Sequence, residues 1–169
     1  PTRRSSDLAL VALQRRFRFR FRVICNVDPG FPEIDEYEYV PWSEASEMED
    51  LQALDIGLMP TPDTAWNLGK LGFKAIQYGA IGIPTVASDV GTIRQIIEED
   101  ETGLIVANST DAWTEAIGQL LGEPDARQAM GAAARRRILR TYTIPAQIER
   151  YLALFGRGEG PIDRAEMPS

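Results

Sequence analysis

Residues 67–74 (NLGKLGFK) combine the residue types best suited to binding an anion. The segment opens a predicted helix, where free backbone N–H groups and the positive end of the helix dipole collect. Gly69 and Gly72 allow the backbone to approach a ligand closely. Lys70 and Lys74 are spaced i and i+4, which predicts that they reach the same side of the helix start.

The two lysines in this segment are the only lysines of the chain, and the other 16 basic residues are arginine. A compact ammonium suits a phosphate group as a point charge. The segment therefore predicts a diphosphate cradle, with a helix start that carries two solvated lysines as the alternative. Its order differs from that of the phosphate loop G-x-x-x-x-G-K-[ST].

A second segment, residues 88–93 (SDVGTI), again reads as strand, glycine-containing turn and helix. Backbone N–H groups at Gly91 and Thr92 could bind another anionic or hydroxyl-rich group. The alternative is an ordinary turn between a strand and a helix.

The composition excludes several kinds of site. The chain of 169 residues contains no histidine and one cysteine, so no imidazole base, Ser-His-Asp triad, disulfide or thiolate zinc cluster can form within it. A net charge of −7 argues against a general nucleic-acid binder. No apolar stretch reaches the roughly 18 residues of a membrane span.

Short apolar strands alternate with helices along the chain, which predicts an α/β fold with a Rossmann-like parallel sheet and helices on both faces. The run 23–25 is typical of a strand buried on both faces, and 61–68 is predicted as a loop. Such sheets bind ligands outside the carboxyl ends of their strands. The predicted strands are 17–25, 37–40, 55–60, 85–87 and 104–106; the predicted helices are about 7–15, 43–54, 69–81, 93–98, 109–121, 124–142 and 145–155.

The domain limits follow from the same patterns. Residues 1–6 have no periodicity and are expected to be non-native or disordered, 7–155 form one domain, and 156–169 are expected to be a flexible tail. The chain begins with Pro1 rather than Met, which suggests a fragment, a processed form or a faulty gene model.

Residues 77–106 resemble the carboxyl-terminal donor-binding domain of retaining glycosyltransferases of family 4 (glycosyl transferases group 1), which have the GT-B fold. The family consensus reads like E-A-M-A-C-G-x-P-V-V-A-S-D-V-G-G, and this chain has QYGAIGIPTVASDVG at 77–91. The segment ETGLIV at 101–106 and the strand DIGLMP at 55–60 also match. The similarity extends from about residue 19 to residue 155.

This resemblance implies transfer of a sugar, with retention, from a nucleoside-diphosphate donor and without a metal or other cofactor. It implies as partners a nucleotide sugar, an amino-terminal acceptor domain absent from this chain, and an acceptor glycan or lipid-linked glycan, with no nucleic acid. The expected location is the cytoplasm or the inner face of the membrane. A donor-binding half of this kind is expected to catalyse little alone.

The chain departs from the family at its carboxylates. The paired Glu positions correspond to Gly69 and Gln77, and a third Glu corresponds to Gln95. The sequence resembles a divergent branch with the pattern Gly-Lys-x-x-Phe-Lys-x-x-Gln-Tyr, here at 69–78. In that branch Lys70 and Lys74 would act electrostatically on the phosphates as the catalytic groups, and Gln77 would hydrogen-bond a ribose hydroxyl.

Three further residues are candidates for donor binding. Trp42 follows a predicted strand and could stack on the base, Asp63 could line the sugar pocket, and Asn67 could bond phosphate or sugar. Each could instead serve only to pack or hold a loop. The alternative function for the whole chain is a non-catalytic nucleotide-binding or protein-interaction module that kept the fold without the carboxylates.

Overall fold

The computed structural model describes residues 5–154, which form five strands and eight helices. None of the helices in that range is both long enough and apolar enough to cross a bilayer. The strands are β1 (Phe21–Cys25), β2 (Tyr37–Pro41), β3 (Gly57–Met59), β4 (Thr85–Ser88) and β5 (Gly103–Val106). The helices are α1 (Ser5–Leu13), α2 (Glu47–Gln52), α3 (Ala65–Leu68), α4 (Phe73–Ala80), α5 (Ile93–Ile96), α6 (Thr110–Gly122), α7 (Pro124–Thr141) and α8 (Ile144–Leu154).

The termini bear on the predicted domain limits. Ser5 and Ser6 lie in the first turn of α1, and Ser6 is buried. The rest of the 1–6 segment and the predicted tail at 156–169 lie outside the described residues.

All described strand pairs are parallel, which confirms the predicted α/β class. The strands form two sheets rather than one: β1 pairs with β2, and β3, β4 and β5 lie side by side in that order. Strands β4 and β5 are buried along their whole length, as their apolar composition predicts.

The prediction that 23–25 are buried on both faces is wrong, because every residue of β1 is only half-buried. A cavity of about 1310 Å³ lies between β1 and β3 and is lined by residues of both strands. Strand β1 therefore lacks the second neighbour that would enclose it. An apolar run specifies a buried strand only when such a neighbour packs beside it.

The alternating Arg-Phe run at 16–22 packs as its period of two predicts, although the observed strand β1 is shorter than the predicted strand at 17–25. Phe17, Phe19 and Phe21 all pack against the main apolar core. On the outward side, the Arg22 Nε donates to Glu38 on β2 at 2.9 Å. The run is thus a core-facing segment with a charged outer face.

The segment between β3 and α4 differs from its prediction. Residues 65–68 form the short helix α3 instead of a loop, and the Thr64 hydroxyl caps it by accepting from the Asn67 N–H at 3.3 Å. The next helix begins at Phe73 rather than at residue 69. Gly69 and Gly72 lie between the two helices, where their low helix propensity interrupts the pattern.

Helices α4 and α7 pack closely because glycines line their contact. A side chain at Gly79 would overlap Ile138, and one at Gly131 would overlap the carbonyl oxygen of Gly82. Gly82 itself has a φ of +83°, which only glycine adopts without strain. The backbone of α7 therefore lies directly on the turn that leads into β4.

We expect Gly131→Ala to lower the free energy of unfolding by about 2–4 kcal/mol, because the added methyl meets backbone rather than a movable side chain. Chemical denaturation measures the change. The control is Gly122→Ala in α6, where the methyl would make an ordinary contact with Phe17 at 3.6 Å. That variant should be neutral or more stable by up to about 1 kcal/mol. Equal effects of the two substitutions would contradict this packing.

Candidate functional site

The loops after β3, β4 and β5 meet at the carboxyl ends of these strands. The buried Ser88 hydroxyl at the end of β4 accepts from the Thr61 N–H at 2.9 Å and donates to the Asn108 Oδ1 at 2.7 Å. The Asn108 Nδ2 completes the network by donating to the Thr61 carbonyl at 3.0 Å. The network fixes where the loop after β3 leaves the sheet. Sequence reasoning missed Asn108, although a polar residue two positions after a buried strand is a usable signal.

The two glycine-containing segments identified in the sequence are in direct contact. Gly91 has a φ of +66°, and a Cβ there would lie 2.9 Å from the Asn67 carbonyl oxygen and 3.1 Å from that of Leu68. The Thr92 hydroxyl donates to the Lys70 carbonyl at 3.2 Å. The predicted residues of both segments therefore form one continuous surface.

The two glycines of the first segment have different surroundings. A Cβ at Gly69 would meet nothing within 4 Å. At Gly72 the same atom would lie 3.0 Å from the side chains of both Ile93 and Ile96. Gly69 thus leaves open space beside the backbone, whereas the space at Gly72 is taken by the core.

The two lysines occupy different environments. Lys70 precedes α4 rather than lying on it, so the predicted i, i+4 relation on one helix does not hold. Its ammonium lies 5.6 Å from the centroid of the Trp66 ring, within the range of a cation–π contact. Lys74, in the first turn of α4, forms an ion pair with Glu47 of α2, with 3.2 Å between Nζ and Oε1.

Glu47 brings together three of the predicted residues. Besides Lys74, the Gln77 Nε2 donates to the same Oε1 at 3.4 Å. The hydrogen bond from Lys74 is the largest cause that lowers the pKa of Glu47, followed by the effect of the nearby Trp42 side chain. Sequence reasoning missed Glu47, because it is one of eleven acidic residues between 23 and 69 and no pattern distinguishes it.

The remaining predicted residues differ in how far they are engaged. The Gln77 Oε1 is buried and has no hydrogen-bond partner among residues 5–154. The Asn67 amide donates to the Pro62 carbonyl at 2.9 Å. Trp42 follows β2 directly and is 43% exposed, and Asp63 is exposed in the loop after β3. The indole ring of Trp42 is therefore accessible to a ligand, whereas the unpaired amide oxygen of Gln77 is enclosed.

Two other features bear on what the site could hold. Within residues 5–154, no group of three or more His, Cys, Asp or Glu side chains could hold a metal ion; the absence of a cofactor stays a prediction. The 1310 Å³ cavity between the sheets includes none of the ten predicted residues in its lining. The candidate site is therefore an open surface at the strand ends, distinct from that cavity.

Comparisons with known proteins give a consistent result. The family described as glycosyl transferase-like matches residues 3–153. The D-inositol 3-phosphate glycosyltransferase of Corynebacterium urealyticum is 32% identical over 118 residues, covering 67% of this chain and 27% of that protein. This chain therefore spans about a quarter of that relative's length.

Solved structures share the fold at low sequence identity. Sucrose-phosphate synthase from Thermosynechococcus elongatus superposes with a TM-score of 0.69 at 21% identity, covering 92% of this chain and 44% of that one. A mutant of TarM from S. aureus, in complex with Fondaparinux, alpha-GlcNAc-glycerol and UDP, also gives 0.69, at 15% identity and with coverage of 89% and 32%. These likenesses confirm the predicted fold, one half of the GT-B fold.

We expect Gly91→Ala to destabilise the protein by about 1–3 kcal/mol, because the methyl strains a left-handed residue and presses on the backbone at 67–68. Thermal unfolding measures this loss. Gly69→Ala is the matched control, since its methyl points into open space, and its melting temperature should stay close to that of the wild type. A Gly91→Ala variant as stable as Gly69→Ala would refute the contact between the two turns.

Proposed function

The chain belongs to the glycosyl transferase-like family, and we propose that it is the donor-binding half of a retaining, hexosyltransferase-type glycosyltransferase. It would bind a nucleoside-diphosphate sugar whose glycosyl group passes to an acceptor held by a separate domain. The observation that carries this proposal is the contact between the two predicted turns, which form one surface that contains Lys70 and has open space at Gly69.

The diphosphate is the part of the donor that this surface fits best. Negative charge grows on the leaving diphosphate as the glycosidic bond breaks, and cations aimed at it stabilise that transition state. Lys70 and Lys74 would supply these cations, and the backbone at Gly91 and Thr92 would supply N–H groups. A structural neighbour, TarM, was solved with UDP, which supports a nucleoside diphosphate as the ligand class.

The nucleoside would lie toward α2 and the end of β2. The Gln77 amide would hydrogen-bond a ribose hydroxyl after turning outward, because its Oε1 is buried without a partner in the conformation that contacts Glu47. The exposed ring of Trp42 would stack on the base. Asn67 and Asp63 would face the sugar or the phosphates from the loop after β3.

The acceptor would be bound by a domain that this chain does not include, since the chain covers 44% or less of the two solved neighbours above and 27% of its curated relative. Closure of two domains around the donor would exclude water and limit donor hydrolysis. A glycan or a lipid-linked glycan fits as the acceptor, with the reaction in the cytoplasm or at the inner face of the membrane.

A non-catalytic nucleotide-binding module is the second candidate, and one observation favours it. The three positions where the resemblance expects carboxylates hold Gly69, Gln77 and Gln95. The two candidates differ in turnover when the chain is supplied with an acceptor domain. Sugar transfer in that assembly supports the enzyme, whereas binding without transfer supports the module.

We expect Lys74→Ala to weaken binding of a nucleoside diphosphate by about 1–3 kcal/mol, the loss of a charge-assisted hydrogen bond. Titration calorimetry with UDP, GDP and ADP measures it and identifies the base. Arg136→Ala, which removes an exposed cation from α7, is the charge-matched control and should leave the affinity unchanged. Equal affinity of wild type and Lys74→Ala would exclude Lys74 from the diphosphate site.

We also expect this chain alone to bind a nucleotide sugar without substantial transfer or hydrolysis. The reason is that this chain would form only one side of the cleft, whereas both sides are needed to exclude water and to hold the acceptor beside the donor. Product formation from UDP-glucose, GDP-mannose and ADP-glucose, followed by chromatography, tests this expectation. Rapid turnover by the isolated chain would contradict the assignment as a donor-binding half.

A further inference from the structure

Glu47 has a position that the proposed function does not explain. Its carboxylate contacts Lys74, Gln77 and Trp42, which the sequence independently associates with three parts of a donor: phosphate, ribose and base. A single carboxylate oxygen, Oε1, accepts from both the Lys74 ammonium and the Gln77 amide. A carboxylate beside a diphosphate site repels the ligand, so its presence there calls for a reason.

The ion pair with Glu47 leaves Lys74 partly accessible. The Lys74 side chain is 50% exposed, and that of Glu47 is 23% exposed. Lys74 can therefore still reach an incoming phosphate, while the carboxylate stays close behind it. A bound diphosphate and Glu47 would share one ammonium, and each additional negative charge on the ligand would strengthen the competition.

We propose that Glu47 is a positioning residue that orients Lys74 and Gln77 and favours release of the nucleoside diphosphate after transfer. The inference rests on the proposed function and concerns the same site. Its carboxylate would hold Lys74 in place before the donor binds and would recapture it as the product leaves. Glu47 itself does not contact the reacting atoms in this assignment.

A carboxylate at this position would weaken binding of the product more than binding of the donor, because the two ligands differ in charge. A nucleotide sugar carries two negative charges on its diphosphate. The free nucleoside diphosphate gains a third when its terminal phosphate ionises, with a pKa of about 6. Repulsion from Glu47 therefore acts more strongly on the product than on the donor, and it is absent for a nucleoside without phosphate.

The experiment compares Glu47→Gln with the wild type at about pH 8, where the terminal phosphate is ionised. The nucleoside that the wild type prefers, among uridine, guanosine and adenosine, is chosen first. Calorimetry then measures the affinity for four ligands of that series: the nucleoside, its monophosphate, its diphosphate and the matching nucleotide sugar (UDP-glucose, GDP-mannose or ADP-glucose). Glu49→Gln is the matched control, because it removes the same charge from an exposed position on the same helix.

We expect Glu47→Gln to tighten binding of the nucleoside diphosphate by about three- to tenfold and of the nucleotide sugar by less than about threefold, with the nucleoside unchanged. High salt should reduce the difference. Glu47→Asp keeps the charge and should keep the wild-type ratio of product to donor affinity within about twofold. Glu49→Gln should change none of the four affinities.

Several results would overturn the inference. An equal change for all four ligands would show that Glu47 only supports the fold, as would a Glu47→Asp variant with the same ratio as Glu47→Gln. If Glu47→Gln bound the nucleoside diphosphate more weakly than the wild type, the proposed role of Glu47 in product release would be wrong. If the wild type binds none of the nucleotides, the proposed function itself fails, and this result is distinct from a bound ligand with an unchanged ratio.

Discussion

The arrangement of the candidate site depends on one close approach, that of the Gly91 backbone to the carbonyl oxygens of Asn67 and Leu68. A side chain at Gly91 would hold the turn after β4 away from the loop after β3. The Ser88 hydroxyl accepts from the backbone N–H of Thr61 at the start of that loop. The loop is therefore fixed at its start by Ser88 and further along by its contact with Gly91. Because both constraints act on the backbone, they fix the main chain that carries Lys70, while the contact with Trp66 places its ammonium group.

The second organising feature is the set of side-chain contacts, apolar in the core and electrostatic at Glu47, that connects the two sheets. No strand pairing within residues 5–154 joins β1–β2 to β3–β4–β5, and a cavity lies between them. The carboxylate of Glu47, on the helix that follows β2, nevertheless bonds Lys74 and Gln77 on α4. Helix α1 packs against α6, and residues of both helices line the cavity. Contacts between side chains and between helices therefore connect the two sheets, which no strand pairing joins within residues 5–154.

The parts of the fold that sequence predicts well are those specified locally. The Ser109 hydroxyl caps α6 by accepting from the Ala112 N–H, and Trp113 is fully buried at the expected period. The failures are those that depend on distant neighbours. The burial of β1 depends on a strand that does not pair with it, and the start of α4 depends on glycines between two helices. Glu47 meets Lys74 across 27 positions of the chain, a separation over which no local pattern operates.

The lysine distribution has a chemical consequence of its own. Since Lys70 and Lys74 carry the only side-chain amines in the chain, an acylating or carbamylating reagent has no other lysine to modify. Acetylation in a cell would likewise remove both ammonium groups of this surface while leaving the sixteen arginines intact. The lysines of the candidate anion site thus differ chemically from all other basic side chains of the protein, and an amine-specific reagent can neutralise or label them without modifying the arginines.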